Sequence, residues 1–285
     1  MMREPQVLMS GLRLCESPRW HDGRLWFADW LARELIALDL DGNHEVVANL
    51  TTHPFCMDWL PDGRMLITSG TQLLRMEPDG SLVAHAELGH LADYNWNEVV
   101  IDSRGNAYVN NINFNFATEK PRPGMIALVT PDGSVRQVAD GVAFPNGMVV
   151  TPDDSTLIVA ESMAGQLVAF DIDADGSLSN RRVWAAGVWP DGICLDADGA
   201  IWTTVGEMSD HQLGRVREGG ELVGEPIQPG DPCFACALGG EDGRTLFMLT
   251  NEWRFGDGFA ENMERLARGP RTGRVLTIRA PAPGA

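Results

Sequence analysis

Lysine is almost missing from this chain of 285 residues: of its 22 basic side chains only Lys120 is not an arginine. Against them stand 40 carboxylates, for a formal net charge of −18 and a pI near 4.6. A field of that sign repels phosphate backbones and anionic lipid, so neither nucleic acid nor a membrane is an expected partner, while cations are attracted. Long apolar runs are absent as well. No stretch approaches the ~20 residues of a spanning helix, and Met1 to Leu14 has no signal-type apolar core, so the expected location is the cytoplasm. Cysteine is sparse and odd in number, with Cys15, Cys56, Cys194, Cys233 and Cys236 mostly set in apolar strands, which reads as reduced buried thiols. Cys233 and Cys236 have the spacing of half a zinc site, but no second pair and no His-x-x-x-His follows.

Common catalytic signatures are missing too. There is no Gly-x-Ser-x-Gly elbow, no Gly-x-x-x-x-Gly-Lys loop and no dinucleotide fingerprint after a strand. The six histidines (21, 44, 53, 85, 90 and 211) form no His-x-His or His-Glu-x-x-His pair, and His53 reads as a turn histidine ahead of a strand.

What the chain does have is a repeat. A turn followed by a β-branched or aromatic run recurs six times, from His21-Asp-Gly-Arg-Leu-Trp-Phe27 to Glu241-Asp-Gly-Arg-Thr-Leu-Phe247. Its marks fall at Gly23, Gly63, Gly105, Ser155, Gly199 and Gly243, spaced by 40, 42, 50, 44 and 44 residues. A second strand phrase, as in Glu34-Leu-Ile-Ala-Leu-Asp39, lies between marks and usually runs into another Asp-Gly turn and a further strand. Four short antiparallel strands per ~40–50 residues make the blade of a β-propeller. The expected fold is therefore all-β: a six-bladed β-propeller in one domain over 1–285. The last blade lacks an outer strand, because proline breaks the tail after Arg279, and the N-terminal segment Gln6–Ser10 is expected to supply it. Only residues 258–268 read as a helix.

The residues ahead of each mark are the expected inner strands, which line a propeller's channel. Seven to nine residues before four of the marks stand Glu16, Asn97, Asn146 and Asp191, so four oxygen-bearing side chains share one level. With two carboxylates, two amides and no His or Cys, such a ring either holds a hard divalent cation or orders channel water.

Glu16-Ser-Pro-Arg-Trp20, Phe144-Pro-Asn-Gly147 and Pro190-Asp-Gly-Ile-Cys-Leu-Asp196 resemble signature segments of the SMP-30/gluconolactonase/luciferin-regenerating enzyme family, whose members are regucalcin-like. Ser179-Asn-Arg-Arg182 and Cys236-Ala-Leu-Gly-Gly240 extend the match in order through nearly the whole chain. The resemblance implies a six-bladed propeller with one divalent metal, held here by Glu16, Asn146 and Asp191, with Asn97 beside them as ligand or substrate contact. Calcium is the expected ion, with zinc, magnesium and manganese as alternatives. It also implies hydrolysis of a small lactone: the ion polarises the carbonyl and water attacks, with Asp191 as base and Glu98 as second candidate. The other reading of Glu98 is an acceptor that orients Asn97.

The chain departs from the sugar-lactone members at Asn95, where they often carry arginine, and near Asn115, where they carry an acid. Asn95, Asn97 and Asn115 remain the expected substrate contacts, but a sugar lactone is not required as substrate. Trp96, Trp189, Phe114, Phe116 and Trp253 are candidates for a more apolar pocket. The partner is a small-molecule lactone and the chain a monomer or homodimer. Competing readings are a non-catalytic metal-binding scaffold and a metal-dependent phosphotriesterase.

Overall fold

Left-handed turn residues punctuate the chain where the repeat requires them. Gly23, Gly63, Gly105, Gly199 and Gly243 have φ between 70° and 85°. In the fourth repeat Asp154, φ 56°, takes that position instead of the marked Ser155, since Asp tolerates the left-handed region better than most side chains. The computed structural model describes residues 4–206 and 212–285; His211 lies outside the described residues.

Two compact units result, Met1–Asn49 with Ala185–Ala285, and Leu50–Trp184. The first unit opens with β1 (Gln6–Leu12), followed by a sheet of β2 (Cys15–His21), β3 (Arg24–Asp29), β4 (Glu34–Leu38) and β5 (His44–Asn49). The second unit holds three sheets. Its first is β6 (Met57–Trp59), β7 (Met65–Ser69), β8 (Gln72–Met76) and β9 (Leu82–Glu87). Next comes β10 (Val99–Ile101), β11 (Ala107–Asn111), β12 (Gly124–Val129) and β13 (Val135–Val142). The third is β14 (Pro145–Val150), β15 (Thr156–Glu161), β16 (Gln166–Ile172) and β17 (Leu178–Ala186). The chain then returns to the first unit with β18 (Cys194–Leu195), β19 (Ile201–Val205) and β20 (Gln212–Val216), and with β21 (Cys233–Gly239), β22 (Thr245–Thr250) and β23 (Gly273–Arg279). These six antiparallel sheets are the blades of a six-bladed β-propeller.

The fifth blade shows three strands among the described residues rather than the expected four. Residues 222–227 run alongside β20 but meet it only at the isolated bridges Val216↔Leu222 and Leu213↔Ile227. Gly219, Gly220 and Gly224, all at positive φ, bend this segment away from a continuous ladder.

The expected closure is present. The last sheet runs β1-β23-β22-β21, with Gln6 opposite Thr277 and Leu12 opposite Gly273. Leu12 is buried with Leu25, Phe27, Phe247 and Val275, so the N-terminal strand contributes to a core shared by the first and last blades. Trp20 of β2 stacks on Phe247 of β22, centroids 5.4 Å apart, over the surface left open by Gly239. The one α-helix among the described residues, α1 (Phe259–Arg268), sits between β22 and β23; Glu261 reaches back to the Gly258 N–H as a capping contact. No helix among the described residues is long and apolar enough to cross a membrane.

Side chains on β1 should differ sharply in weight. Leu12→Ala removes a side chain that is 2% exposed and should cost about 2–5 kcal/mol of unfolding free energy. Val7→Ala, on the same strand but 56% exposed, should stay within about 0.5 kcal/mol. Denaturant unfolding of the two variants checks this, and equal losses would remove β1 from the core.

Candidate functional site

Three inner strands begin with a bulge. The register of β2 on β3 shifts between Glu16 and Arg19, that of β14 on β15 between Pro145 and Met148, and that of β21 on β22 between Cys233 and Ala235. Two of these starts are also strained: Ser17, next to Glu16, has φ 54°, and Phe144, two residues before Asn146, has φ 60°. Bulges and left-handed non-glycine residues cluster where a side chain must be re-aimed, at a cost of order 1–3 kcal/mol for each such residue. Asn97 lies just ahead of β10 and Asp191 just ahead of β18, so all four residues of the expected ring enter an inner strand.

In the first unit the two carboxylates lie within electrostatic range of one thiol. Glu16 is buried, and Asp191 is half-buried. Burial pushes the Cys233 thiol well up, and negative charge at Cys236, Glu16 and Asp191 pushes it further, so both carboxylates act on one point. The Cys15 thiol is raised by burial and then by Asp29 and Glu16. The Gly192 N–H, next to Asp191, donates to the Phe234 carbonyl at 2.8 Å, tying the entry of β18 to β21. Phe234 meets Trp253 edge-on at 5.6 Å, and Trp253 meets Phe259 of α1 at 5.9 Å. Cys194 and Cys236 lie 3.4 Å apart, buried and unbridged.

In the second unit one buried residue gathers the rest. Asn110, at the end of β11, accepts the Glu98 N–H on Oδ1 at 3.2 Å and donates Nδ2 to the Asn146 carbonyl at 2.6 Å. Its own carbonyl accepts the Asn97 N–H at 3.0 Å. Asn97 Oδ1, in a residue 7% exposed, has no hydrogen-bond partner among the described residues. An acceptor left so is costly unless something absent from the chain meets it. The buried Glu98 carboxylate accepts the Cys56 thiol, Sγ to Oε2 3.2 Å.

Two of the expected substrate contacts, Asn95 and Asn115, bond nearby backbone. Asn95 donates Nδ2 to the His53 carbonyl at 2.9 Å, and Asn115 accepts the Ala117 N–H on Oδ1 at 3.0 Å. Of the aromatic candidates, Trp96 and Phe114 are core, Trp253 is half-buried, and Trp189 and Phe116 are exposed.

The donor set fits a hard cation. Among the described residues no group of three or more His, Cys, Asp and Glu is placed to hold a metal ion. In the first unit Glu16 and Asp191 offer hard carboxylate oxygens, and in the second the orphaned Asn97 Oδ1 is a neutral oxygen of the kind such cations also take.

The sequence profile of the SMP-30/Gluconolactonase/LRE-like region matches residues 14–252. The chain belongs to this family. Regucalcin of Gallus gallus is 26% identical over 281 residues, covering 93% of this chain and 90% of its own. Regucalcin of Homo sapiens is 23% identical, covering 95% and 92%. Among solved structures, a luciferin-regenerating enzyme superposes with a TM-score of 0.82 at 17% identity, over 99% of this chain and 97% of that one. A calcium-binding regucalcin of Agrobacterium tumefaciens gives 0.74 at 21%, over 99% and 97%. A gluconolactonase of Xanthomonas campestris gives 0.72 at 21%, over 97% and 90%. These likenesses carry the propeller fold.

Asn110 was not legible as a functional residue, though a signal exists. Asp29, Thr68, Asn110 and Glu161 follow the marks 23, 63, 105 and 155 by five or six residues, each a polar residue closing an apolar run. Each binds the backbone that enters its own inner strand: Asp29 takes Arg13 and Leu14 N–H, Thr68 takes Cys56 N–H, and Glu161 takes Ala143 N–H. Asn110→Ala leaves a buried N–H and a buried carbonyl unmet and should cost about 2–4 kcal/mol. Asn110→Asp, at pH 8, turns a donor into a second acceptor facing the Asn146 carbonyl and should cost at least as much. Chemical denaturation compares them, and an Asp variant as stable as the parent would remove the clamp.

Proposed function

We propose that the protein is a divalent-metal-dependent lactonase, a carboxylic ester hydrolase with calcium as its expected ion. The observation that carries this reading is that Glu16 and Asp191, at two inner-strand entries of one unit, both lie within electrostatic range of the buried Cys233 thiol. Family membership supports it, as do relatives described as calcium-binding or as gluconolactonases. Glu16 and Asp191 supply the charged ligands. Asn146 joins them on its motif, Phe144-Pro-Asn-Gly147, and Asn97 is a further oxygen ligand or a substrate contact. When bound, the cation supplies Lewis acidity to an ester carbonyl.

The chain's own residues do the rest. Asp191 takes a proton from the attacking water as the water oxygen bonds to the acyl carbon. The ring C–O bond then breaks, its oxygen is protonated, and a hydroxy acid leaves. Glu98 is the second candidate base. Its contact with the Cys56 thiol and the hold of Asn110 on its N–H favour a role in orienting Asn97.

Protein stripped with a chelator and reloaded with Ca²⁺, Mg²⁺, Mn²⁺ or Zn²⁺ should recover lactone turnover only with metal. Asp191→Asn should lower kcat/KM roughly 100-fold or more. Glu16→Gln should weaken cation binding ~10–100-fold in titration calorimetry. Turnover that survives chelation or Asp191→Asn sinks the mechanism, and tight metal binding with no hydrolysis of any lactone favours the scaffold.

A further inference from the structure

The Cys-x-x-Cys of β21 finds its sulfur partner on another blade. Cys233 Sγ turns to the Ala235 carbonyl at 3.3 Å, whereas Cys236 Sγ lies 3.4 Å from the Sγ of Cys194 on β18. Both strands belong to the first unit. Cys236 Sγ also reaches the Trp202 carbonyl at 3.5 Å, and the two thiols pack with Trp202, Leu246 and Met248 in a core shared by the fifth and sixth blades. No bond joins them.

Sulfurs in a disulfide stand about 2.05 Å apart, so closing the present contact needs a shift of about 1.4 Å. β18 is the element that can give it. It has two residues, Cys194–Leu195, in a blade whose outer ladder is broken, and segments with so few ladder bonds open most readily. Cys194 is also the more accessible thiol, 9% against 2% for Cys236. Contact with Cys194 and then burial push the Cys236 thiol well up, so it keeps its proton until a reactive sulfur stands beside it.

We infer that Cys194 and Cys236 are an oxidation site: a small peroxide converts them to a disulfide that staples the inner strand of the fifth blade to that of the sixth, and a dithiol reopens it. Cys194 loses its proton and its sulfur attacks one peroxide oxygen; the O–O bond breaks, leaving a sulfenic acid and one water. The Cys236 sulfur then attacks the sulfenic sulfur. The S–S bond forms as the S–O bond breaks, and the hydroxide leaves with the Cys236 proton as a second water. Two thiols are oxidised and one peroxide is reduced, by two electrons. A resolving sulfur already in contact stops Cys194 at the first step, short of sulfinic acid. The bridge constrains the unfolded chain and holds β18, whose entry presents Asp191. None of this depends on the lactonase reading.

The experiment treats the folded full-length protein with hydrogen peroxide, caps the remaining thiols with N-ethylmaleimide in denaturant, and maps the peptides by mass spectrometry. Parent, Cys194→Ser and Cys236→Ser are compared. The parent should lose two of its five free thiols, recovered as one peptide pair joining Cys194 to Cys236, and dithiothreitol should restore both. The thermal midpoint of the oxidised parent should fall by roughly 5 °C when dithiothreitol reopens the bridge, a comparison that leaves any oxidised methionine unchanged. Neither serine variant should show that shift. Retention of all five thiols, sulfinic or sulfonic acid at Cys194 in place of the bridge, a bridge from Cys233 to Cys236, or mixed pairings overturns the inference. A bridge whose opening leaves the midpoint unmoved overturns the staple. Where a serine variant does not fold, the peptide map and melt of the parent decide alone.

Discussion

The hydrogen bond from a buried polar side chain at the end of a second strand to the backbone entering an inner strand is what the candidate site depends on. That entering backbone has left the ladder of one blade and not yet joined the next, so its N–H and carbonyl groups need partners from elsewhere. Asp29, Thr68, Asn110 and Glu161 supply them, each from inside its own blade. Thr68 and Asn110 reach one blade further, to the Asn97 and Asn146 carbonyls, and Asn251 does the same to the Arg13 carbonyl across the closure. A buried group left unmet costs about 1–3 kcal/mol. A chain of such clamps therefore fixes successive inner strands at a defined height.

That rigidity makes the local strain affordable. Ser17 lies three residues beyond Leu14, whose N–H is held by Asp29. Phe144 directly follows Ala143, whose N–H is held by Glu161 at 2.7 Å. In both places the left-handed residue stands between a clamp on one side and a bulged strand on the other, so relaxing it would break a buried hydrogen bond. Strain held this way turns the side chains of Glu16 and Asn146 away from the directions a regular strand would give them.

The propeller was legible because its signals are local and repeated: turn glycines at 40–50-residue spacing, apolar runs after them, and a proline-broken tail that left one strand to be supplied from the other end. That Glu16, Asn97, Asn146 and Asp191 each lie at or just ahead of an inner strand was legible for the same reason, since a repeat carries position along the blade as well as structure. Asn110 was hidden because an asparagine closing an apolar run looks like the first residue of a loop. Its role comes from contacts twelve and thirty-six residues away in sequence, to Glu98 and Asn146. The fifth blade's missing ladder was hidden too, because the glycines that bend it resemble those that make hairpin turns.

The bonding of the loop asparagines was the least legible, and the reason is physical. Residues at inner-strand entries inherit their placement from blade geometry, so a motif fixes where they stand in the blade. Residues on the connecting loops inherit nothing of the kind, and their side chains are free to satisfy one another. Asn95 was expected to touch substrate, yet its amide serves the His53 carbonyl. Asn115 holds its own turn. A loop residue bonded to nearby backbone changes what the loop presents without altering the fold beneath it.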